Sequence, residues 1–107
     1  PGMAKQMVYT ARNIKAEEAL RIGLVNAVYP LEELYGAAEK LASQIAANAP
    51  IAVRASKKAI NEGLDLAMGE AVVVEEKAFG SCFESQDQQE GMGAFLEKRK
   101  HEPFTNK

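Results

Sequence analysis

Between Leu31 and Asn48, apolar side chains fall at Leu31, Leu34, Tyr35, Ala38, Leu41, Ala42 and Ile45. This is the i, i+3, i+4, i+7 spacing of a helix with one apolar face. A strand cannot satisfy it, because strand side chains alternate between faces. Pro50 stops this helix and opens the next, since the amide hydrogen it lacks is unpaired in a first helical turn anyway. The fold is thereby committed to helices packed on helices.

The remaining chain repeats the theme. The spacing predicts a short helix from Met3 to Thr10, broken by residues 13–15. A second should run from Ala16 to Ile22, with Gly23 in the left-handed position past its end. Its cap residue is Lys15, which offers no acceptor, and Glu18 sits where half a capping box would be. Residues 24–30, LVNAVYP, are β-prone and predict a very short strand paired with residues 13–15. A helix from Pro50 to about Asn61, ended by Gly63, carries a small-residue stripe of Ala52, Ala55, Ala59 and Gly63 suited to close helix approach. Another runs from Met68 to Glu84, with Met68, Val72, Phe79 and Phe83 on one face. A last one carries Met92, Phe95 and Leu96 and ends before Pro103. Its cap is either Ser85 with Gln88 or Asp87 with Glu90. The class is mainly α, with one or two very short strands.

These stripes are wide, yet the 107 residues hold four phenylalanines and no tryptophan with which to build a private core. Some stripes must therefore face another polypeptide or another part of the same one. The length allows one domain. A net charge of −2 argues against bulk attraction to nucleic acid or anionic lipid. No apolar run approaches a membrane span and no signal peptide opens the chain, so a soluble protein is expected. Cys82, the only cysteine, excludes an internal disulfide, and no Cys/His cluster offers a zinc site. A reducing compartment, the cytoplasm, is the expectation. The Pro1-Gly2 start without an initiator Met reads as a trimmed chain or a fragment.

Catalytic chemistry finds little support. The pairs Glu17-Glu18, Glu32-Glu33 and Glu75-Glu76 stand among polar neighbours, and adjacent helical residues do not face each other. They read as solvated surface, with Glu76 nearest an apolar face. His101, the only histidine, sits in a polar tail with no nucleophile motif, and Cys82 reads as packing. No catalytic residue is nominated. The unusual stretch is EGMGAFLEKRKHEPF, residues 90–104, which gathers basic residues in an acidic chain. On a helix through residues 90–100, Phe95 and Lys98 share a face, an aromatic flat beside a cationic head that suits a nucleotide. The bland alternative is a core phenylalanine and a solvated helix end.

Three blocks, IKAEEALRIGLVNAVYP, IAANAPIAVRASKKAIN and DQQEGMGAFLEKRK, resemble in order and spacing the C-terminal third of the crotonase (enoyl-CoA hydratase/isomerase) family, most nearly its bacterial short-chain enoyl-CoA hydratases. The resemblance covers residues 1–107. It implies the helical C-terminal region of the ClpP/crotonase-like fold, which covers the active site and forms trimers or dimers of trimers. It implies an enzyme that reversibly hydrates trans-2-enoyl-CoA, with an oxyanion hole and two glutamates that stabilise enolate-like charge. Those parts belong to an N-terminal spiral domain with no counterpart in residues 1–107, so this chain alone is expected to be inactive. No metal or cofactor is implied, the CoA thioester being substrate. Matched residue by residue, Phe95 is implied to reach adenine and Lys98 the 3′-phosphate, commonly in a neighbouring subunit's site. Arg99 and Lys100 stay unassigned. Lys15 departs from the Ser or Asp that many members place there. The alternatives are the same region of an enoyl-CoA isomerase or another superfamily enzyme, or a non-catalytic helical oligomerisation module.

Overall fold

The computed structural model describes all of residues 1–107. Six helices follow in order: α1 Gly2–Thr10, α2 Ala16–Arg21, α3 Leu31–Ala46, α4 Pro50–Gly63, α5 Met68–Cys82 and α6 Gln86–Leu96. The chain divides into two units, Pro1–Glu39 and Lys40–Lys107, the division falling within α3.

In the first unit, α2 begins at Lys15, which makes no side-chain cap. Glu18 does not close a capping box either. Its carboxylate instead receives the Arg12 guanidinium at 2.6 and 2.9 Å and lies 3.7 Å from Arg21. Hydrogen bonding from Arg12 holds the Glu18 pKa below its ordinary value, against partial burial. Gly23 adopts φ 74, as expected past a helix end. Its N–H donates to Leu20 O at 3.1 Å and the Leu24 N–H to Ala19 O at 2.9 Å, the paired bonds of a Schellman turn.

That turn explains why the expected strand over residues 24–30 does not form. The Leu24 and Val25 amides are both spent on Ala19 O, and the Lys15 carbonyl, a prospective partner, accepts from Ala19 N. Residues 24–26 bend and residues 27–30 run without a ladder until the Pro30 carbonyl accepts from Glu33 and Leu34 and starts α3. The architecture is all α, without strands.

In the second unit, α4 and α5 form the close helix pair. A Cβ built on Gly63 would lie 3.5 Å from Ala71 Cβ, so the small-residue stripe does bring backbones together. Helix α4 ends at Gly63, the expected end, and Leu64 after it keeps right-handed geometry. Phe79 of α5 and Phe83 just past its end meet edge to face with centroids 5.2 Å apart. Cys82 is half-buried and its Sγ lies 3.3 Å from Ala78 O, in keeping with packing.

Buried apolar residues are confined to Ala19 and Ala94, and no large side chain is fully buried. The α3 stripe is open, with Leu31 86%, Tyr35 77% and Leu41 58% exposed. Apolar area left in water at about 25 cal/mol per Å² forgoes most of the stabilisation such a helix can supply. The paired glutamates at 32-33 and 75-76 are exposed, as is Glu17.

Candidate functional site

The site is built on α6 and the tail that follows it. Ser85 starts the helix in extended geometry, and its Oγ accepts from Gln88 N at 3.1 Å. The first of the two cap alternatives is therefore the one used. Ser85 is itself buried, 6% exposed.

Asp87 and Glu90, the other alternative, do not cap the helix. They turn toward the tail. Asp87, 3% exposed, accepts from Thr105 N at 2.7 Å, Asn106 N at 2.8 Å and Thr105 Oγ1 at 3.2 Å. Burial opposes its ionisation, but these three donors outweigh that and hold its pKa below the ordinary value. The amide of Gln86 donates to the main-chain oxygen of Lys107 at 2.7 Å, and Asn106 Oδ1 accepts from Arg54 of α4 at 2.6 Å. The tail is thus tied to the start of α6.

Helix α6 ends at Leu96, well before residue 100, so Phe95 and Lys98 do not share a helical face. Glu97 is the last right-handed residue and Lys98 turns left-handed, with φ 55. Lys98 N donates to Phe95 O at 3.2 Å and Arg99 N to Ala94 O at 3.0 Å. This is the Gly23 turn again, with lysine in the place that glycine usually fills. The turn links the Lys98 amide to the Phe95 carbonyl, a backbone relation rather than a shared helical face. Phe95 is 77% exposed within residues 1–107, and Lys98 is also exposed.

The basic run is unequal in its engagements. Arg99 lays its fork on Glu90 at 2.6 and 3.1 Å and directs Nε to Glu97 at 2.6 Å. The guanidinium passes over Gly93, where a Cβ would come to an ordinary 3.9 Å from Arg99 Nη2. Glu90 Oε1 also accepts from Glu102 N at 2.8 Å. The Arg99 hydrogen bonds and then the Glu102 amide pull the Glu90 pKa down from 4.5 to about 2, and the same pair raises that of Arg99. Lys98 and Lys100 form no ion pair. Past them, His101 is exposed and stacks on Phe104 at 4.2 Å, and the Phe104 ring lies against Gly91 of α6. The result is an ordered tail presenting an open aromatic ring and two uncommitted ammonium groups.

Sequence reasoning missed the partners of Arg99, Asp87 and Glu90. The separations of nine, eighteen and nineteen residues are not the i, i+3 or i+4 spacing of neighbours on one helix. The clue available was the pair of carboxylates on a helix followed by a tail of donors.

Beneath the tail, α4, α5 and α6 enclose a mostly apolar cavity of about 460 Å³, lined by Ala52, Ala59, Phe79, Phe83, Met92 and Phe104 among others. No group of three or more His, Cys, Asp or Glu side chains is placed to hold a metal ion. No helix is long and apolar enough to cross a membrane.

The enoyl-CoA hydratase/isomerase family model matches residues 1–107. The chain is 53% identical over 106 residues to the short-chain-enoyl-CoA hydratase of Clostridium acetobutylicum, covering 99% of this chain and 41% of that protein. It is 55% identical over 100 residues to the crotonyl-CoA hydratase of Syntrophomonas wolfei, covering 94% and 38%. Among solved structures, an enoyl-CoA hydratase from Bacillus anthracis superposes with a TM-score of 0.93 at 37% identity, over 100% of this chain and 41% of that one. The six helices thus match a helical part of that fold, and the chain spans about two-fifths of the length of its relatives.

Proposed function

Since the chain belongs to the enoyl-CoA hydratase/isomerase family, we propose that it is the C-terminal region of an enzyme that reversibly hydrates trans-2-enoyl-CoA. In this reading it supplies subunit contacts and the nucleotide end of the CoA site, and a catalytic region outside residues 1–107 supplies the chemistry. The observation that supports the CoA role is the turn at the end of α6, which carries an exposed Phe95 ring and an unpaired Lys98 ammonium three residues apart while Arg99 is occupied.

The physical division of labour follows. Phe95 offers a flat apolar face for adenine and Lys98 a point charge for the 3′-phosphate. Neither group touches the enoyl thioester. Their binding energy fixes the remote end of the substrate, so the thioester carbonyl arrives oriented at the donors that stabilise enolate-like charge. The open stripes of α3 and α5 support assembly as a trimer or dimer of trimers, since such faces are covered when copies associate.

The test is hydration of crotonyl-CoA, followed by loss of the enoyl-thioester absorbance. Residues 1–107 alone are expected to give no turnover, whereas the same residues joined to a catalytic region are expected to hydrate the substrate. Turnover by the 107-residue chain would overturn the division. Conversion of a 3-enoyl-CoA without hydration by the joined protein would favour an isomerase instead.

A further inference from the structure

Lys98 occupies a conformation that L-residues avoid. Left-handed geometry crowds Cβ against the following carbonyl, and such residues persist where their surroundings over-determine them. At Lys98 the surroundings are specific. On its near side, the Phe95 and Ala94 carbonyls take the Lys98 and Arg99 amides. On its far side, both the Arg99 side chain and the Glu102 amide end on a single carboxylate, Glu90.

Glu90 lies inside α6, more than one turn before its end at Leu96, so it belongs to the rigid body of the helix rather than to the turn. Its two oxygens receive the Arg99 fork in parallel, the arrangement that fixes direction as well as distance. Glu97 on the other flank takes Arg99 Nε at 2.6 Å. Arg99 is therefore clamped from two sides, and the residue immediately before it cannot swing without breaking the fork. The same engagement keeps the Arg99 guanidinium from competing with Lys98 for an incoming anion.

We propose that Glu90 is a positioning residue of the CoA site: through the Arg99 fork and the Glu102 amide it fixes the left-handed turn that carries Lys98, and so aims the ammonium beside Phe95. The proposal rests on the reading of Phe95 and Lys98 as the nucleotide contact. Glu90 itself touches no substrate. Its removal frees the turn to leave the left-handed region, and Lys98 then spends part of its binding energy on being ordered.

The experiment is a double-mutant cycle in the whole hydratase with crotonyl-CoA as substrate, and with a crotonyl-pantetheine thioester that lacks the nucleotide. Glu90→Gln keeps size but loses the charge and one acceptor of the fork. Arg99→Lys keeps charge but loses the fork, and serves if Glu90→Gln does not fold. Either variant is expected to raise KM for crotonyl-CoA about two- to threefold, less than removal of the Lys98 ammonium itself, with kcat little changed. Neither is expected to alter the KM of the pantetheine thioester, and in a Lys98→Ala background neither adds a further rise. If Lys98→Ala leaves KM unchanged, the nucleotide reading itself falls and the proposal with it. If Lys98→Ala raises KM but the Glu90 and Arg99 variants do not, or if they add their full effect on top of it or slow both substrates alike, the positioning role alone is overturned.

Discussion

Replacing Lys98 by glycine should make the protein more stable and a poorer binder of CoA esters at once. At φ 55 the lysine backbone carries a left-handed penalty of about 1–2 kcal/mol, which glycine escapes. Glycine gives back about 0.5–1 kcal/mol through the greater freedom of its unfolded chain. The net expectation is a gain of about 0.5–1 kcal/mol, or a rise in Tm of a few degrees for a domain larger than 100 residues. Lys98→Ala removes the same ammonium but keeps a Cβ, so it receives no such gain. Both variants should bind a CoA ester roughly fivefold more weakly at low salt, converging with the parent protein as salt screens the phosphate contact. Neither should change binding of the 3′-dephospho ester. Thermal unfolding and calorimetric titration of the whole protein read the two effects separately. Should Lys98→Gly melt no higher than Lys98→Ala, the left-handed turn is not where the backbone strain lies. Equal losses for the phosphorylated and dephosphorylated esters would remove Lys98 from the phosphate.

Ser85→Ala should cost about 1 kcal/mol of stability by uncapping α6, visible as a lower urea midpoint with an unchanged slope. Gly91→Ala should instead raise stability by about 0.5–1 kcal/mol, seen as a higher midpoint, because the added methyl meets Phe104 at an ordinary 3.6 Å within a helix interior; a fall would mean that Phe104 cannot adjust. The Glu90 pKa is depressed on folding, so its contribution is complete above its ordinary value of 4.5 and is lost as pH falls toward about 2. The stability difference between the parent and Glu90→Gln, measured by urea unfolding from pH 6 downward, should therefore shrink across that window. A difference that stays constant down to pH 2 would show that the Arg99 pair does not set the Glu90 pKa. Asp87, whose pKa is also lowered, should add acid sensitivity in the same direction below its ordinary 3.8.

Helix existence was legible in the sequence because it rests on local spacing and on single residues with strong backbone preferences. Pro50 opens α4, Ser85 opens α6, and Gly23 closes α2 as expected. The readings that failed depend on where backbone donors and acceptors find partners. Residues 24–30 have strand-like composition, but two of their amides are consumed in closing α2. Residues 97–100 continue the helical pattern in composition, but α6 stops at Leu96 because Lys98 enters a turn that lysine does not announce. Phe95 and Lys98 were nominated by resemblance and by their chemistry, whereas the geometry relating them is not that of a helix face. Glu90, Asp87 and the return of the tail left no periodic trace, since a carboxylate that serves a distant loop looks like any surface carboxylate.

The alanine and glycine seam between α4 and α5 bears on the order in which this polypeptide acquires structure. Methyl groups have no rotamers to lose, so closing the seam costs only backbone entropy, and the two helices are joined by a short connection of residues 64–67. Contacts so near in sequence form quickly, because little loop must be closed before they are rewarded. The stripes of α3, by contrast, wait in water for surfaces that arrive later. The helical pair is thus the piece of this chain whose own contacts can close first.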